Sequence, residues 1–174
     1  MMRMFDGLLR IARLEAKTSQ KPQELMDVGA ILLDVIDLYE PLAAEKDMTI
    51  SLSTEPDIYA QGDPHLLGQA VANLIENAVK YGCSARQHGS ADILVGASIK
   101  QGILEITVSD HGPGIPFEDR ARVLERFVRL EKSRSQPGTG LGLSLVAAAA
   151  HSLDGSLELG DNHPGLVVRF RIPA

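Results

Sequence analysis

Apolar and polar residues recur along the chain with two different periods, and each period predicts a different element. Segments 28–44 and 63–81 carry apolar residues three and four positions apart, which is the spacing of an amphipathic helix. Segment 2–16 shows the same spacing over a shorter length, and 118–127 is predicted as a short charged helix. Strands are predicted at 48–53, 91–100, 103–110, 156–159 and 166–172.

Cap and turn residues bound these elements. Asp63 and Pro64 suit the N-cap and the first position of the second long helix, and Gly82 suits its end. A tight turn at 101–102 joins two strands into a hairpin, and glycines open a last helix over 138–153. The interspersed elements predict an α+β fold, a two-layer α/β sandwich. We expect one mixed, mostly antiparallel sheet and about three helices, plus a short N-terminal helix.

Composition narrows the functional classes. The 174 residues are 44% apolar and 23% charged, as in an ordinary globular protein. The formal net charge of −6 argues against a nucleic-acid-binding surface, which needs clustered Lys and Arg. No segment has the roughly 20 consecutive apolar residues of a membrane span. The single Cys83 cannot form an internal disulfide, which fits a reducing compartment.

A polar stripe runs along the helix predicted at 63–81. Asn73, Asn77 and Lys80 are four and three positions apart, so they line one face. Asn is a poor helix former, and its amide oxygen is a suitable ligand for Mg²⁺. Lys80 could reach phosphate oxygens from the same face. A solvated stripe without function explains this helix equally well when it is considered alone.

Two glycine-rich segments follow. Asp110 ends a strand and precedes Gly112 and Gly114, where the backbone can turn sharply and approach a ligand, and its carboxylate could accept a hydrogen bond from an exocyclic amine. The segment 138–142 has glycine at alternate positions before a helix, where free backbone N–H groups attract phosphate. Separately, a simple turn and a flexible hinge explain these two segments as well as a ligand does.

The order of the three segments is more specific. Asn-Leu-Ile-Glu-Asn-Ala-Val-Lys-Tyr at 73–81 resembles the N box of the sensor histidine kinases, a branch of the Bergerat-fold ATPases. Asp-His-Gly-Pro-Gly-Ile at 110–115 resembles their first glycine box, and 122–135 resembles their F box. Gly-Thr-Gly-Leu-Gly-Leu-Ser at 138–144 resembles their second glycine box. The resemblance covers about 28–173.

This resemblance implies Mg²⁺ and ATP as cofactors and assigns roles to residues. Asn77 would be the main metal ligand, supported by Asn73, and Asp110 would bind the adenine amine. The implied catalytic residues are Asn73, Lys80, Arg129 and Lys132, the last two within an ATP lid at 116–137 that also includes Arg134. The implied nucleotide site comprises Asn73, Asn77, Lys80, Tyr81, Asp110, Gly112, Gly114, Ile115, Gly138, Thr139, Gly140, Leu141, Gly142 and Leu143.

The reaction implied by the resemblance is transfer of the γ-phosphoryl group of ATP to a histidine nitrogen. The five histidines of the chain lack the flanking residues of the family's H box, so we expect the phosphoacceptor to be absent. Residues 1–22 would be the end of a dimerisation helix and a linker, and 23–174 the catalytic domain. The chain alone would then bind Mg-ATP without phosphorylating itself.

The resemblance also implies partners. These are ATP or ADP, the histidine-bearing dimerisation domain of the parent protein and, indirectly, the receiver domain of a response regulator. Neither nucleic acid nor membrane contact is expected for this domain, which would be cytoplasmic even where the parent is an inner-membrane sensor. Two alternatives stay open: a Bergerat-fold serine kinase or ATPase, and a nucleotide-binding interaction module without turnover.

Overall fold

A computed structural model describes residues 23–82, 92–130 and 139–174. Within these residues the chain forms three α-helices, seven β-strands and two short 3₁₀ turns. In chain order the helices and strands are β1 Glu24–Asp27, α1 Val28–Ala44, β2 Ile50–Thr54, β3 Tyr59–Gly62, α2 Pro64–Tyr81, β4 Ile93–Lys100, β5 Ile103–Asp110, α3 Gly142–Ser152, β6 Ser156–Asp161 and β7 Leu166–Pro173.

The main sheet has five strands in the order β2-β4-β5-β7-β6. Strands β2 and β4 are parallel, and the other three neighbouring pairs are antiparallel, so the sheet is mixed and mostly antiparallel as predicted. Strands β4 and β5 form the predicted hairpin, in which Gln101 and Gly102 both have positive φ. Two such residues suit the right-handed twist of a hairpin.

The three helices pack on one face of the sheet, with α2 between α1 and α3. Alternate residues of the strands point into the space between the two layers. The fully or almost fully buried residues of the three central strands are Ile93, Val95, Ala97, Leu104, Ile106, Val108, Val168, Phe170 and Ile172. Helix α2 lies over them with its own buried residues Leu67, Ala70, Val71, Leu74, Ile75, Ala78 and Val79. The result is the predicted two-layer sandwich with a single core.

A second, two-stranded sheet formed by β1 and β3 was not predicted. Strand β1 runs into α1, where the Asp27 carboxylate caps the helix by accepting from the Ala30 N–H at 3.0 Å. Strand β3 runs into α2, where the Asp63 carboxylate accepts from two N–H groups of the first turn. Because β1 and β3 are paired, this small sheet holds the starts of the two helices side by side.

Other boundaries differ from the predictions in a few places. The predicted helix at 118–127 is instead two 3₁₀ turns, Phe117–Asp119 and Arg122–Leu124. The extended backbone of Glu125 and the positive φ of 64° at Phe127 cannot continue an α-helix. The last helix begins at Gly142, because Gly140 has a positive φ of 72° that a helix cannot contain. The predicted helix at 2–16 and the linker up to residue 22 lie outside the described residues.

Candidate functional site

The polar stripe of α2 faces the first residue of α3. Asn73 donates from Nδ2 to the Gln69 carbonyl oxygen at 2.8 Å, which directs its amide oxygen away from the helix backbone. A β-carbon placed on Gly142 would lie 3.2 Å from Asn77 Nδ2 and 3.3 Å from Asn77 Oδ1. The absence of a side chain at Gly142 therefore lets the N-terminus of α3 approach the Asn77 amide closely.

Lys80 extends the same stripe by one turn, and it is held by a neighbour. Its Nζ lies 2.6 Å from Glu76 Oε1, and its side chain is 29% exposed. Glu76 also acts on Tyr39 of α1: burial raises the pKa of the Tyr39 hydroxyl, and the nearby Glu76 charge raises it further. Lys80 has three N–H donors, so it can keep this ion pair and still contact another anion.

Asp110 is a nearly buried carboxylate at the end of β5, with 7% of the residue exposed. Its Oδ1 accepts from the Gly112 N–H at 2.8 Å and from the Leu166 N–H at 3.4 Å. Burial raises the pKa of the Asp110 carboxyl above its ordinary value, and these two hydrogen bonds oppose that rise. Both bonds end on one oxygen, so among the described residues none donates to Oδ2.

The first glycine segment brings Asp110 against the end of α2. A β-carbon on Gly112 would collide with the Tyr81 carbonyl oxygen, and one on Gly82 would lie 2.9 Å from the Asp110 β-carbon. Gly114 has a φ of 67°. The glycines therefore permit a backbone contact that places Tyr81 and Asp110 at one end of the site.

The second glycine segment brings the 3₁₀ region to the start of α3. The Phe127 N–H donates to the Gly140 carbonyl oxygen at 3.1 Å. A β-carbon on Gly140 would lie 3.1 Å from Arg129 Cγ, so the Arg129 side chain runs beside this glycine. Leu141 is 2% exposed, and its carbonyl oxygen accepts from the Ser144 hydroxyl at 3.0 Å.

The residues predicted from the sequence are thus largely brought together. Thr139 is exposed beside the site, and Leu143 is half-buried against the core. Gly138, Lys132 and Arg134 lie outside the described residues, so their predicted roles stay predictions. The described part of the site consists of Asn73, Asn77, Lys80, Tyr81, Asp110, Gly112, Gly114, Ile115, Arg129, Thr139, Gly140, Leu141, Gly142 and Leu143.

Two residues that the sequence did not single out support this site from behind. Arg120 donates from Nε to the Ile115 carbonyl oxygen at 3.1 Å and pairs with the Asp161 carboxylate. Asn162 donates from Nδ2 to the Asp110 carbonyl oxygen at 2.8 Å. The Arg120–Asp161 and Asn162–Asp110 contacts join residues 41 and 52 positions apart, so no local spacing could have indicated either of them.

Comparison with known families decides what this arrangement is. The model of the histidine kinase-, DNA gyrase B- and HSP90-like ATPases matches residues 62–174. The chain belongs to this ATPase family. The match begins at Gly62, immediately before α2, and includes every described residue of the candidate site. Nucleotide binding and the resemblance to the ATP-binding domain of sensor histidine kinases are therefore confirmed.

Its relatives within the ATPase family are sensor kinases. The sensor-like histidine kinase SenX3 of Mycolicibacterium smegmatis is 32% identical over 171 residues, which are 97% of this chain and 43% of that protein. The sensor histidine kinase WalK of Bacillus subtilis is 27% identical over 176 residues, covering 99% of this chain and 28% of that protein. The chain therefore spans less than half the length of these curated relatives.

Solved structures agree with this ATPase assignment. A crystal structure of full-length ShkA in complex with AMPPNP aligns with 98% of this chain and 35% of that one, at a TM-score of 0.83 and 28% identity. The mycobacterial sensor histidine kinase MprB aligns with 87% of this chain and 97% of that one, at a TM-score of 0.69 and 28% identity. The catalytic domain of histidine kinase ThkA, at 21% identity and a TM-score of 0.76, shares the fold.

Across residues 23–82, 92–130 and 139–174, no helix has both the length and the apolar character needed to cross a bilayer.

Proposed function

We propose that this domain binds Mg-ATP between α2, the end of β5 and the start of α3, and supplies the γ-phosphoryl group to a histidine of its parent protein. The observation that carries the proposal is the contact between Asn77 and Gly142. This contact joins a helix face bearing a metal-type ligand to a glycine-opened helix N-terminus, which attracts phosphate. The similarity to full-length ShkA, which was solved in complex with AMPPNP, supports nucleotide binding by this domain.

The adenine end of the site is proposed at Asp110. Its carboxylate is almost buried, and its Oδ1 is already engaged by backbone N–H groups. Oδ2 is then the oxygen that accepts from the 6-amino group of adenine. Gly112 and Gly114 let the backbone after Asp110 pack closely against Tyr81 and Gly165, since a β-carbon at either glycine would collide with that backbone. Tyr81 itself lies against the nucleotide.

The phosphate end is proposed along Asn73, Asn77 and Lys80. Across the described residues no group of three or more His, Cys, Asp or Glu side chains could hold a metal ion. The metal is proposed instead on amide oxygens together with phosphate. The two Asn oxygens fit Mg²⁺, which prefers a few hard oxygen ligands and keeps its remaining waters. When bound, Mg²⁺ neutralises part of the charge of the triphosphate.

Cations of the protein complete the proposed phosphate site. Lys80 contacts a phosphate oxygen through another of its N–H donors, after a short movement of its flexible side chain. Arg129 already lies beside Gly140, and Lys132 follows three positions later in the proposed lid. These residues act by orienting the triphosphate and balancing its charge, which is most of what phosphoryl transfer asks of a protein.

The phosphoacceptor is proposed to lie on a dimerisation helix pair of the parent, with 1–22 as the end of that pair and 23–174 as the catalytic domain. The imidazole nitrogen of the acceptor attacks the γ-phosphorus, the bond from that phosphorus to the bridging oxygen breaks, and ADP leaves. A response regulator would receive the phosphoryl group afterwards. The names of the relatives, which are sensor histidine kinases, support a histidine as the acceptor.

A calorimetric titration with AMPPNP, with and without Mg²⁺, tests the nucleotide site. We expect binding that needs Mg²⁺ and weakens at least tenfold in Asn77→Ala, a loss of about 1.4 kcal/mol, because the variant lacks the amide oxygen. Gln69→Ala is the matched control, since it removes an amide from the same helix about two turns earlier. It should bind AMPPNP as the unsubstituted domain does.

Phosphoryl transfer is tested next, with γ-labelled ATP and a separate H-box helix pair from a sensor kinase. Label on the acceptor histidine, and none on this chain, is the expected result. Equal binding of AMPPNP by the chain and by Asn77→Ala would contradict the proposed metal site. Hydrolysis without transfer would favour an ATPase, and binding without either reaction would favour an interaction module.

A further inference from the structure

The turn between β6 and β7 packs directly behind Asp110. The Asn162 N–H donates to the Gly165 carbonyl oxygen at 3.1 Å, which closes this turn. From the closed turn, Asn162 Nδ2 reaches the Asp110 carbonyl oxygen at 2.8 Å and the Leu166 N–H reaches the Asp110 carboxylate at 3.4 Å. Both the backbone and the side chain of Asp110 therefore receive a hydrogen bond from one turn.

Asn162 takes over where the sheet stops. The pairing of β5 with β7 ends at Ser109 and Val167, so the carbonyl of Asp110 lies one residue beyond the ladder. A buried carbonyl without a donor is costly, and the Asn162 amide supplies the donor. The side-chain amide thus continues the sheet by one hydrogen bond and fixes the backbone from which the Asp110 carboxylate projects.

Gly165 makes this approach possible. Its φ of 117° lies outside the range of most residues, and a β-carbon there would collide with the Asp110 carbonyl oxygen. The Gly165 carbonyl oxygen lies 2.8 Å from where a β-carbon of Gly114 would be, so the turn also touches the first glycine segment. The turn therefore contacts both ends of that segment, at Asp110 and at Gly114.

We propose that Asn162 is a positioning residue that gives the site its preference for adenine, by holding the Asp110 carboxylate at the place of the 6-amino group. The inference rests on the proposed nucleotide site. A hydrogen bond to one amine discriminates only if the acceptor is held within about half an ångström of its place. Asn162 touches the backbone of Asp110 and is proposed to act through it without contacting the base.

The test compares AMPPNP with the same triphosphate analogue built on purine riboside, which lacks the 6-amino group. The ratio of the two dissociation constants measures recognition of the amine alone, because phosphates, ribose and metal are identical. The unsubstituted domain should prefer the adenine analogue by roughly tenfold or more, the range of one hydrogen bond to a charged group. In Asn162→Ala this ratio should fall to within about threefold of unity.

Two further variants separate the donor from its shape. Asn162→Asp keeps the shape and turns the donor into an acceptor facing a carbonyl, so the adenine preference should be lost at least as fully as in Asn162→Ala. Asn162→His carries a ring N–H at the same branch point and should retain most of the preference. Glu158→Gln is the control for the hairpin, since it removes the carboxylate bonded to Arg171 without touching Asp110.

The outcomes distinguish this inference from the proposed site. If the unsubstituted domain binds both nucleotides equally, Asp110 does not recognise the 6-amino group, and the proposed adenine end fails together with this inference. If the unsubstituted domain prefers the adenine analogue and Asn162→Ala keeps the same ratio of dissociation constants, only the role of Asn162 is overturned. An equal fall of the ratio in Glu158→Gln would overturn it too, because general loosening of the hairpin would then be the cause.

Discussion

At the scale of single residues, Asp110 combines two opposed demands. Its burial favours the protonated acid, whereas binding an amine requires the ionised acceptor. Burial raises the pKa of Asp110 above its ordinary value of 3.8, and the Gly112 and Leu166 N–H groups limit the rise. The backbone groups that orient the carboxylate therefore also favour its ionised form.

The adenine preference should consequently depend on pH. As pH falls through the raised pKa of Asp110, the acceptor is protonated, so the ratio of dissociation constants of the purine and adenine analogues should decline towards unity. The decline should begin at a higher pH than for an ordinary aspartate. Calorimetric titrations of both analogues between pH 7.5 and about 4.5 measure it, and titration of the phosphates cancels in the ratio.

Asp110 should also make folding stability depend on pH, in the opposite direction to the adenine preference. A carboxyl whose folded pKa is raised favours folding most at low pH, and that contribution is lost as pH rises through the folded value.

Asp110→Asn serves as the control for the pH dependence of the adenine preference. Its side chain has no proton to release, so its ratio of dissociation constants should not change with pH. A ratio of dissociation constants that is independent of pH in the unsubstituted domain would contradict recognition of the 6-amino group by Asp110.

Residues whose partners are close along the chain could be grouped from the sequence. Asn73, Asn77 and Lys80 could be grouped because a helix repeats every 3.6 residues, and Gly112 because it follows a strand. Arg120 and Asn162 could not be found this way. Their contacts are with Asp161, Leu159 and the Asp110 backbone, about 40 to 52 positions away. Only the sheet order brings such pairs together.

At the scale of elements, two glycines of similar appearance have different tasks. Gly68 lies inside α2, where a β-carbon would meet methyl groups of Ile31 and Val35 at 3.7 and 3.9 Å, which is ordinary contact. Gly142 begins α3, where a β-carbon would press on the Asn77 amide. A larger residue can therefore replace Gly68 without a clash, whereas Gly142 keeps space open at the junction of α2 and α3.

Replacing each glycine by alanine should separate these tasks. Gly68→Ala should stabilise the domain by about 0.5–1 kcal/mol, because alanine loses less backbone entropy in a helix, and should leave AMPPNP affinity unchanged. Gly142→Ala should change stability little and weaken AMPPNP binding roughly tenfold. Urea unfolding and calorimetry on the same samples measure both quantities. Unchanged affinity in Gly142→Ala would argue against a ligand at this junction.

The long helices and the hairpin were predictable because their signals are contained within each element. Asp63, Pro64 and Gly82 mark the ends of α2 in the structure as they do in the sequence. The two-stranded sheet of β1 and β3 was not predicted, since its strands have four residues each and pair across 32 to 38 positions. Such short strands carry too few alternations to be distinguished from loops.

At the scale of the whole molecule, stability depends on one core between the helix layer and the sheet. Phe170 of β7 is 1% exposed and is among the largest fully buried side chains. It lies opposite Ile106 of β5 and Leu157 of β6 in the strand register. Its removal would leave a cavity that the surrounding strands cannot close without losing their pairing.

Phe170→Ala should lower the free energy of unfolding by about 3–5 kcal/mol, through lost burial and the remaining cavity. Phe117→Ala is a matched control, because Phe117 is 82% exposed and the same substitution should cost about 1 kcal/mol or less. Urea-induced unfolding followed by circular dichroism measures both. Similar losses in the two variants would contradict the single core described above.

The bonds of Arg120 have a consequence for the solubility of the domain. Strand β6 is paired on one side only, and such an edge strand offers unpaired backbone groups to a strand of another molecule. Arg120 places a charged side chain against this edge by donating to the Leu159 carbonyl oxygen at 3.4 Å and pairing with Asp161. A neighbouring chain that added itself to β6 would have to displace this guanidinium, so the contact that supports the site also discourages edge-to-edge aggregation.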